Sequence, residues 1–258
     1  MTGAPLIAEV DTRGVATLTF NRPEKGNAYD QPLLDALDEA LARYAADPAV
    51  RVLVLRGNGR HFCAGADITG QGAALPEPRA TLPGFCRQLD AFPRPTIAAI
   101  QGGCIGGGLA FAACCDVTIA EREAFFALSE VRLGFAPVPL TPFLVRAIQP
   151  RALRRYLVSG ERFGAAEALR IGLIHQIAEA GTLQSELNAA ITGFLMAAPG
   201  AAATAKRVLR REAYGPITDE LLADLQREFR AGADSEEAHE GRAAFREKRR
   251  PGWAPASD

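Results

Sequence analysis

The 258 residues are 48% hydrophobic and 23% charged, which excludes a disordered or fibrous chain and leaves enough apolar material for a well-buried core. A formal net charge of −1 excludes a global field that draws the protein to nucleic acid or an anionic membrane. Five scattered cysteines without a CxxC pair, and only three histidines, exclude a recognisable zinc pattern and fit a reducing, cytoplasmic setting. The stretch MTGAPLIAEVDTRG lacks a charged segment followed by a long apolar run, so no signal peptide is expected. No run approaches the roughly 18 apolar residues of a membrane span.

In chain order, Val15–Phe20 alternates β-formers and predicts a strand, which Pro23, Gly26 and Asn27 break. Leu33, Leu34, Leu37 and Leu41 give residues 32–44 a helical period. The run RVLVLR, residues 51–56, is a short buried strand that ends in Gly57-Asn58-Gly59. Residues 65–83, rich in Gly, Ala and Pro, predict a mobile loop. Residues 95–100 form a third strand, which runs into Gly102–Gly108 and an apolar helix at 109–114; strands follow at 117–120 and 124–128. Beyond Thr182 four segments all take helical character, punctuated by Pro199-Gly200 and Gly215-Pro216. Alternating strands and helices followed by helices alone predict an α/β class with a helical C-terminal subdomain.

Two glycine-rich segments carry the chemistry. HFCAGADI, residues 61–68, follows a strand; QGGCIGGGLAFAACCD, residues 101–116, lies between a strand and a helix. Three glycines that open a helix let a ligand approach the backbone, where unpaired N–H groups and the helix dipole receive an anion or oxyanion. The plainer reading is tight helix–strand packing with no ligand. A dinucleotide site does not fit, because GxGxxG spacing and the acidic partner are missing, and there is no P-loop lysine.

Six segments in order resemble the enoyl-CoA hydratase/isomerase (crotonase) family: NRPEKGNAYD, HFCAGADI, QGGCIGGG with CCD behind it, LSEVRLGFAP, SGERFGAAEALRIGLIHQI and EGRAAFREKRRPGW. The resemblance implies a crotonase-like spiral of ββα units over residues 1–197, carrying the acyl-CoA site. Residues 198–258 are then a helical oligomerisation subdomain, in a homotrimer or a dimer of trimers. It implies an oxyanion hole made by the backbone N–H groups of Ala66 and Gly107, and a catalytic carboxylate at Glu130. It also implies coenzyme A contacts from Lys25, Gly26 and Ala28, from Ala64, Ala66, Asp67 and Ile68, and from Phe245 and Lys248, the last two often serving a neighbouring subunit. The substrate is a coenzyme A thioester; no cofactor, metal, nucleic acid or membrane is required. Without the resemblance, Glu130 reads as a surface acid, and the basic run 246–250 as a solvated helix face.

The sequence departs from the best-known hydratases in two places. Glu24 stands where some relatives have lysine, and Ala110 stands where they carry a second glutamate. An alanine transfers no proton, so the expected activity is hydration of a 2-enoyl-CoA on one glutamate. Isomerase or lyase chemistry on the same site is the alternative, and a non-catalytic acyl-CoA-binding protein is the alternative of another class. Ser129 lies outside GxSxG and reads as a turn hydroxyl. Cys114 and Cys115 read as packing residues, His61 and His175 as structural, Asp67 as an organiser of its loop, and Asp116 as a turn or strand-start residue. Residues 70–83 and 143–148 are expected to wall the acyl pocket.

Overall fold

The computed structural model describes residues 3–70, 80–212 and 215–255. Strand β1 (Leu6–Val10) runs antiparallel to β2 (Val15–Phe20), with Leu6 opposite Phe20. Helix α1 (Gln31–Ala46) leads to β3 (Val52–Gly57), and α2 (Leu82–Asp90) leads to β4 (Thr96–Ile100). A short β5 (Gly103–Ile105) turns into α3 (Gly107–Ala113), then β6 (Val117–Glu121) and β7 (Phe125–Ala127). Helices α4 (Thr141–Ala147) and α5 (Pro150–Ser159), strand β8 (Phe163–Gly164), helix α6 (Ala165–Arg170) and strand β9 (Gln176–Ala178) complete the sheet region. The main sheet has the order β1-β2-β3-β4-β6-β9, parallel from β2 onward, and β5-β7-β8 form a second sheet.

The run Val52 to Leu55 is apolar throughout because β3 is covered on both faces. Leu53 and Leu55 face the core that holds Leu33, Leu37 and Leu41 of α1 together with Phe85 and Phe111. Val52 and Val54 face the other side, against Leu187, Ile191 and Leu195 of α7 (Leu183–Leu195). Three further helices follow: α8 (Pro199–Glu212), α9 (Asp219–Ala233) and α10 (Glu236–Glu247). Among the described residues no single helix is long and apolar enough to cross a membrane.

The structure corrects the sequence reading in three places. The loop expected over residues 65–83 is too long: Ala66 already pairs with Tyr29, a 3-10 turn spans Ile68–Gly70, and α2 begins at Leu82. Pro83 looked like a breaker, yet it lies in the first helical turn, where its missing N–H costs nothing, and Thr81 caps that turn by accepting from Gly84 N at 3.1 Å. Residues 71–79 of that stretch lie outside the described residues. Second, β1 was not anticipated; as an edge strand it buries only Leu6, so LIAEV carries little alternation. Third, the Gly102–Gly108 stretch is part strand and part helix: β5 occupies 103–105, and α3 starts at Gly107 rather than Leu109.

Candidate active site

Both glycine segments follow carboxyl ends of parallel strands, HFCAGADI after β3 and QGGCIGGG after β4, which is where α/β sheets open toward ligands. A parallel bridge stitches them together. Cys63 N donates to Gly103 O at 3.1 Å, and Ile105 N donates to Cys63 O at 2.8 Å. The chains then touch backbone to backbone. A Cβ built on Gly106 would lie 3.6 Å from Gly65 Cα and 2.6 Å from Glu130 Oε1, and one on Gly65 would lie 3.4 Å from Ile105 O. Gly65 and Gly106 also have left-handed φ values of +93° and +54°, a conformation glycine adopts without a Cβ penalty.

The amides around this contact divide sharply. Gly106 N donates to Ala127 O at 2.9 Å, and Asp67 N donates to Tyr29 O at 2.8 Å. Among the described residues, the N–H groups of Ala66 and Gly107 donate to no protein acceptor. Gly107 is the first residue of α3, so its N–H is one of the donors a helix leaves unspent and its dipole favours negative charge there.

Glu130 lies in a 3-10 turn, Ser129–Leu133, closed by Gly134 in the left-handed region, with Phe135 N donating to the Glu130 carbonyl at 3.0 Å. Its carboxylate points back at Gly106. Oε2 is sealed from solvent without a hydrogen-bond partner among the described residues. Burial pushes the carboxyl above the ordinary glutamate value of 4.5, because desolvation penalises the charged form. The surface-acid reading of Glu130 is therefore wrong. Ala110 sits one turn into α3, fully buried in the core, so no carboxylate enters from that position.

The segment 22–30 braces the site. Arg22 donates to the Ala28 carbonyl and to Asp67 at 2.9 Å, and pairs with Asp30 at 3.0 Å. The Thr69 hydroxyl and then the Arg22 guanidinium hold Asp67 down at about 2, so Asp67 stays an anionic brace for its loop, as its sequence context implied. Asn27 is fully buried with φ +59°. Its Oδ1 accepts from Arg22 N at 2.9 Å, and its Nδ2 donates to the carbonyls of Asn58 at 2.8 Å and His61 at 2.6 Å. Asn27→Ala leaves those groups unpaired and places alanine in the left-handed region. It is expected to cost about 2–4 kcal/mol, read as a lower midpoint in denaturant titration with an unchanged slope.

Of the residues assigned to coenzyme A, one group comes together. Ala64 N donates to Gly26 O at 3.0 Å, and Lys25 Nζ reaches Thr69 Oγ1 at 3.3 Å beside Asp67 at 3.9 Å. Ala28 is buried, while Ile68 is exposed at the loop edge. Phe245 and Lys248 stand apart at the end of α10. Phe245 is 85% exposed, Lys248 caps the helix at φ +54°, and among the described residues no hydrogen bond or ion pair ties either to residues 64–68 or 106–107. The other candidates are structural. His61, kept neutral mainly by burial, accepts from Gly103 N at 2.9 Å, and His175 accepts from Thr118 N at 3.0 Å. Asp116 accepts from Thr96 N at 2.8 Å and Lys206 Nζ at 2.7 Å. Cys114 and Cys115 are buried, and burial raises the Cys63 thiol to about 12, which removes it as a nucleophile at neutral pH. Arg22, Asn27 and Tyr29 were missed as site residues, although all three lie in the quoted NRPEKGNAYD motif; their roles depend on partners distant in sequence.

Comparison with known proteins identifies the family. The sequence signature of the enoyl-CoA hydratase/isomerase family matches residues 11–256. The chain belongs to the crotonase family. It is 35% identical to the 2,3-dehydroadipyl-CoA hydratase of Escherichia coli, over 92% of this chain and 94% of that one. It is 34% identical to the (E)-benzylidenesuccinyl-CoA hydratase of Thauera aromatica, over 98% of this chain and 100% of that one. An enoyl-CoA hydratase structure from Shewanella pealeana superposes with a TM-score of 0.89 at 33% identity, covering 96% of each chain. The crotonase fold is thereby established for this chain, which is an acyl-CoA-processing crotonase enzyme.

Proposed function

We propose that the protein hydrates a 2-enoyl-CoA to the 3-hydroxyacyl-CoA with one carboxylate and a backbone oxyanion hole. The observation that carries this reading is the half-buried Glu130 carboxylate, with its Oε2 sealed and unpartnered among the described residues, beside the Gly65–Gly106 contact, which two unspent amides flank. The thioester oxygen accepts from Ala66 N–H and Gly107 N–H, which draws electron density from the β-carbon. Glu130 takes a proton from water as the water oxygen bonds to the β-carbon, and the π pair moves into the thioester enolate. Glu130 then returns the proton to the α-carbon and the carbonyl re-forms. Desolvation of the carboxyl makes it a stronger base than an exposed glutamate.

Lys25, Gly26, Ala28, Ala64, Ala66, Asp67 and Ile68 line the coenzyme A path in this reading. Phe245 and Lys248 serve the same ligand across a subunit boundary, in keeping with the exposure of Phe245 and with the lack, among the described residues, of any bond from either to the loops of their own chain. Exposed apolar side chains on the C-terminal helices, among them Leu209, Leu222 and Phe229, support assembly into a trimer or a dimer of trimers through a unit near residues 198–258.

The buried Ala110 keeps one second reading in view, since a single glutamate also suits transfer of a proton between the α- and γ-carbons. Incubation with 2-enoyl and 3-enoyl thioesters of several chain lengths, with products identified by mass, tests both. The expected product is the thioester 18 mass units heavier, formed from the 2-enoyl series at about 1–10³ turnovers per second. A product of unchanged mass from the 3-enoyl series alone would replace hydration with isomerisation.

A further inference from the structure

Tyr29 is the polar side chain nearest the proposed oxyanion donor that the mechanism above leaves unused. A Cβ built on Gly107 would lie 2.5 Å from Tyr29 Cε1 and 2.8 Å from its hydroxyl oxygen, while one built on the preceding Gly106 would lie 2.6 Å from Glu130 Oε1. The phenol and the carboxylate therefore border the same peptide unit, the one whose N–H is to hold the thioester oxygen. The ring also packs edge-on against Phe111 at 5.8 Å. Residues 107, 110 and 111 share one face of α3 by the i, i+3, i+4 rule, so the phenol lies along the face that carries the buried Ala110.

Its backbone is pinned independently of its side chain. Tyr29 N donates to Gly65 O at 2.8 Å, and its carbonyl accepts from Asp67 N at 2.8 Å. Among the described residues the hydroxyl makes no hydrogen bond. Burial first, and then the charges of Cys63 and Glu130, raise the phenol well above its ordinary value, so it stays protonated throughout turnover.

We propose that the Tyr29 hydroxyl is a catalytic residue that holds the attacking water opposite Glu130, on the α3 face where a second carboxylate is missing. The water hands one hydrogen to Glu130 and directs the other to the Tyr29 oxygen, which fixes its lone pair toward the β-carbon. The water oxygen bonds to that carbon, and the proton on Glu130 goes to the α-carbon. Tyr29 gains and loses no proton, so the balance of the reaction is unchanged.

This inference rests on the hydration reading, and the test separates the two. Tyr29→Phe keeps both backbone bonds and the ring. Two rates are measured for wild type and variant: hydration of a short 2-enoyl-CoA, and deuterium exchange at the α-carbon of the matching saturated acyl-CoA in D2O, which needs only Glu130 and the amide pair. Hydration kcat is expected to fall on the order of 10²-fold, while exchange changes less than about 3-fold. Hydration within about 3-fold of wild type overturns the role. Equal loss of both rates also overturns it, because Tyr29 is then a packing support for the amides. Wild-type enzyme that exchanges but hydrates nothing ends the hydration reading, and this inference with it.

Discussion

Glu130→Gln is expected to abolish hydration, with kcat down on the order of 10³-fold and KM little changed. The amide keeps the shape of the carboxylate but takes no proton from water. The same change is expected to stabilise the protein at neutral pH. The folded-state carboxyl titrates above the ordinary 4.5 because of burial, so the unfolded chain gives up its proton at lower pH than the folded one. Stability is therefore lost as pH rises from the unfolded value through the folded value, and the full penalty is present above both. Removing this half-buried charge should raise Tm by a few degrees at most, because solvent screens the exposed part of the carboxylate. That gain should vanish below about pH 4, where both states are protonated. Wild-type kcat/KM should lose activity on the acid side with an apparent pKa above 4.5. Near-native turnover by the glutamine variant would take Glu130 out of the mechanism.

Gly107→Ala is the second large effect, and it acts through the backbone. The added Cβ would lie 2.5 Å from the Tyr29 ring, closer than real contacts allow, so either the ring or the first turn of α3 must move. A shift of that turn re-aims the Gly107 N–H, and kcat is expected to fall about 10²- to 10³-fold, as when one oxyanion donor is lost. Gly164→Ala is the control: a Cβ there meets nothing within 4 Å and the backbone is at φ −95°. It should leave turnover within about 2-fold of wild type. Steady-state kinetics on both variants, with circular dichroism to confirm folding, decides the matter. If Gly107→Ala turns over like the control, either the Tyr29 ring alone has yielded and the first turn of α3 has kept its place, or the amide at 107 does not hold the thioester oxygen; a crystal structure of the variant separates the two.

The main strands were legible because each obeys a short-range rule. Val15–Phe20 was read with its observed bounds, and RVLVLR shifted by one residue. Helix α1 announced itself by four leucines at helical spacing, and Asp30 caps it by accepting from Leu33 N at 3.0 Å. The elements that escaped are those whose signal is not local. β5 has three residues and exists because Cys63 pairs with Cys104 and β7 pairs alongside. Helix α2 was hidden by a proline that marks a helix start as readily as a break.

Unaided, the sequence determined that this is an α/β chain with a helical tail and that two glycine segments follow strands; the family resemblance added that one glutamate stands without its usual companion. Each of those is written in residues that are close together or in a pattern of fixed order. Tertiary structure alone decided that Gly65 and Gly106 touch, that the Ala66 and Gly107 amides are left unspent, that one Glu130 oxygen is sealed from solvent, and that Tyr29 leans on Gly107. These facts depend on segments that stand from 24 (Gly106 and Glu130) to 78 (Tyr29 and Gly107) positions apart being stitched side by side. Burial, unpaired donors and shifted acidity arise only when such segments close around one another, so no local pattern in the chain records them.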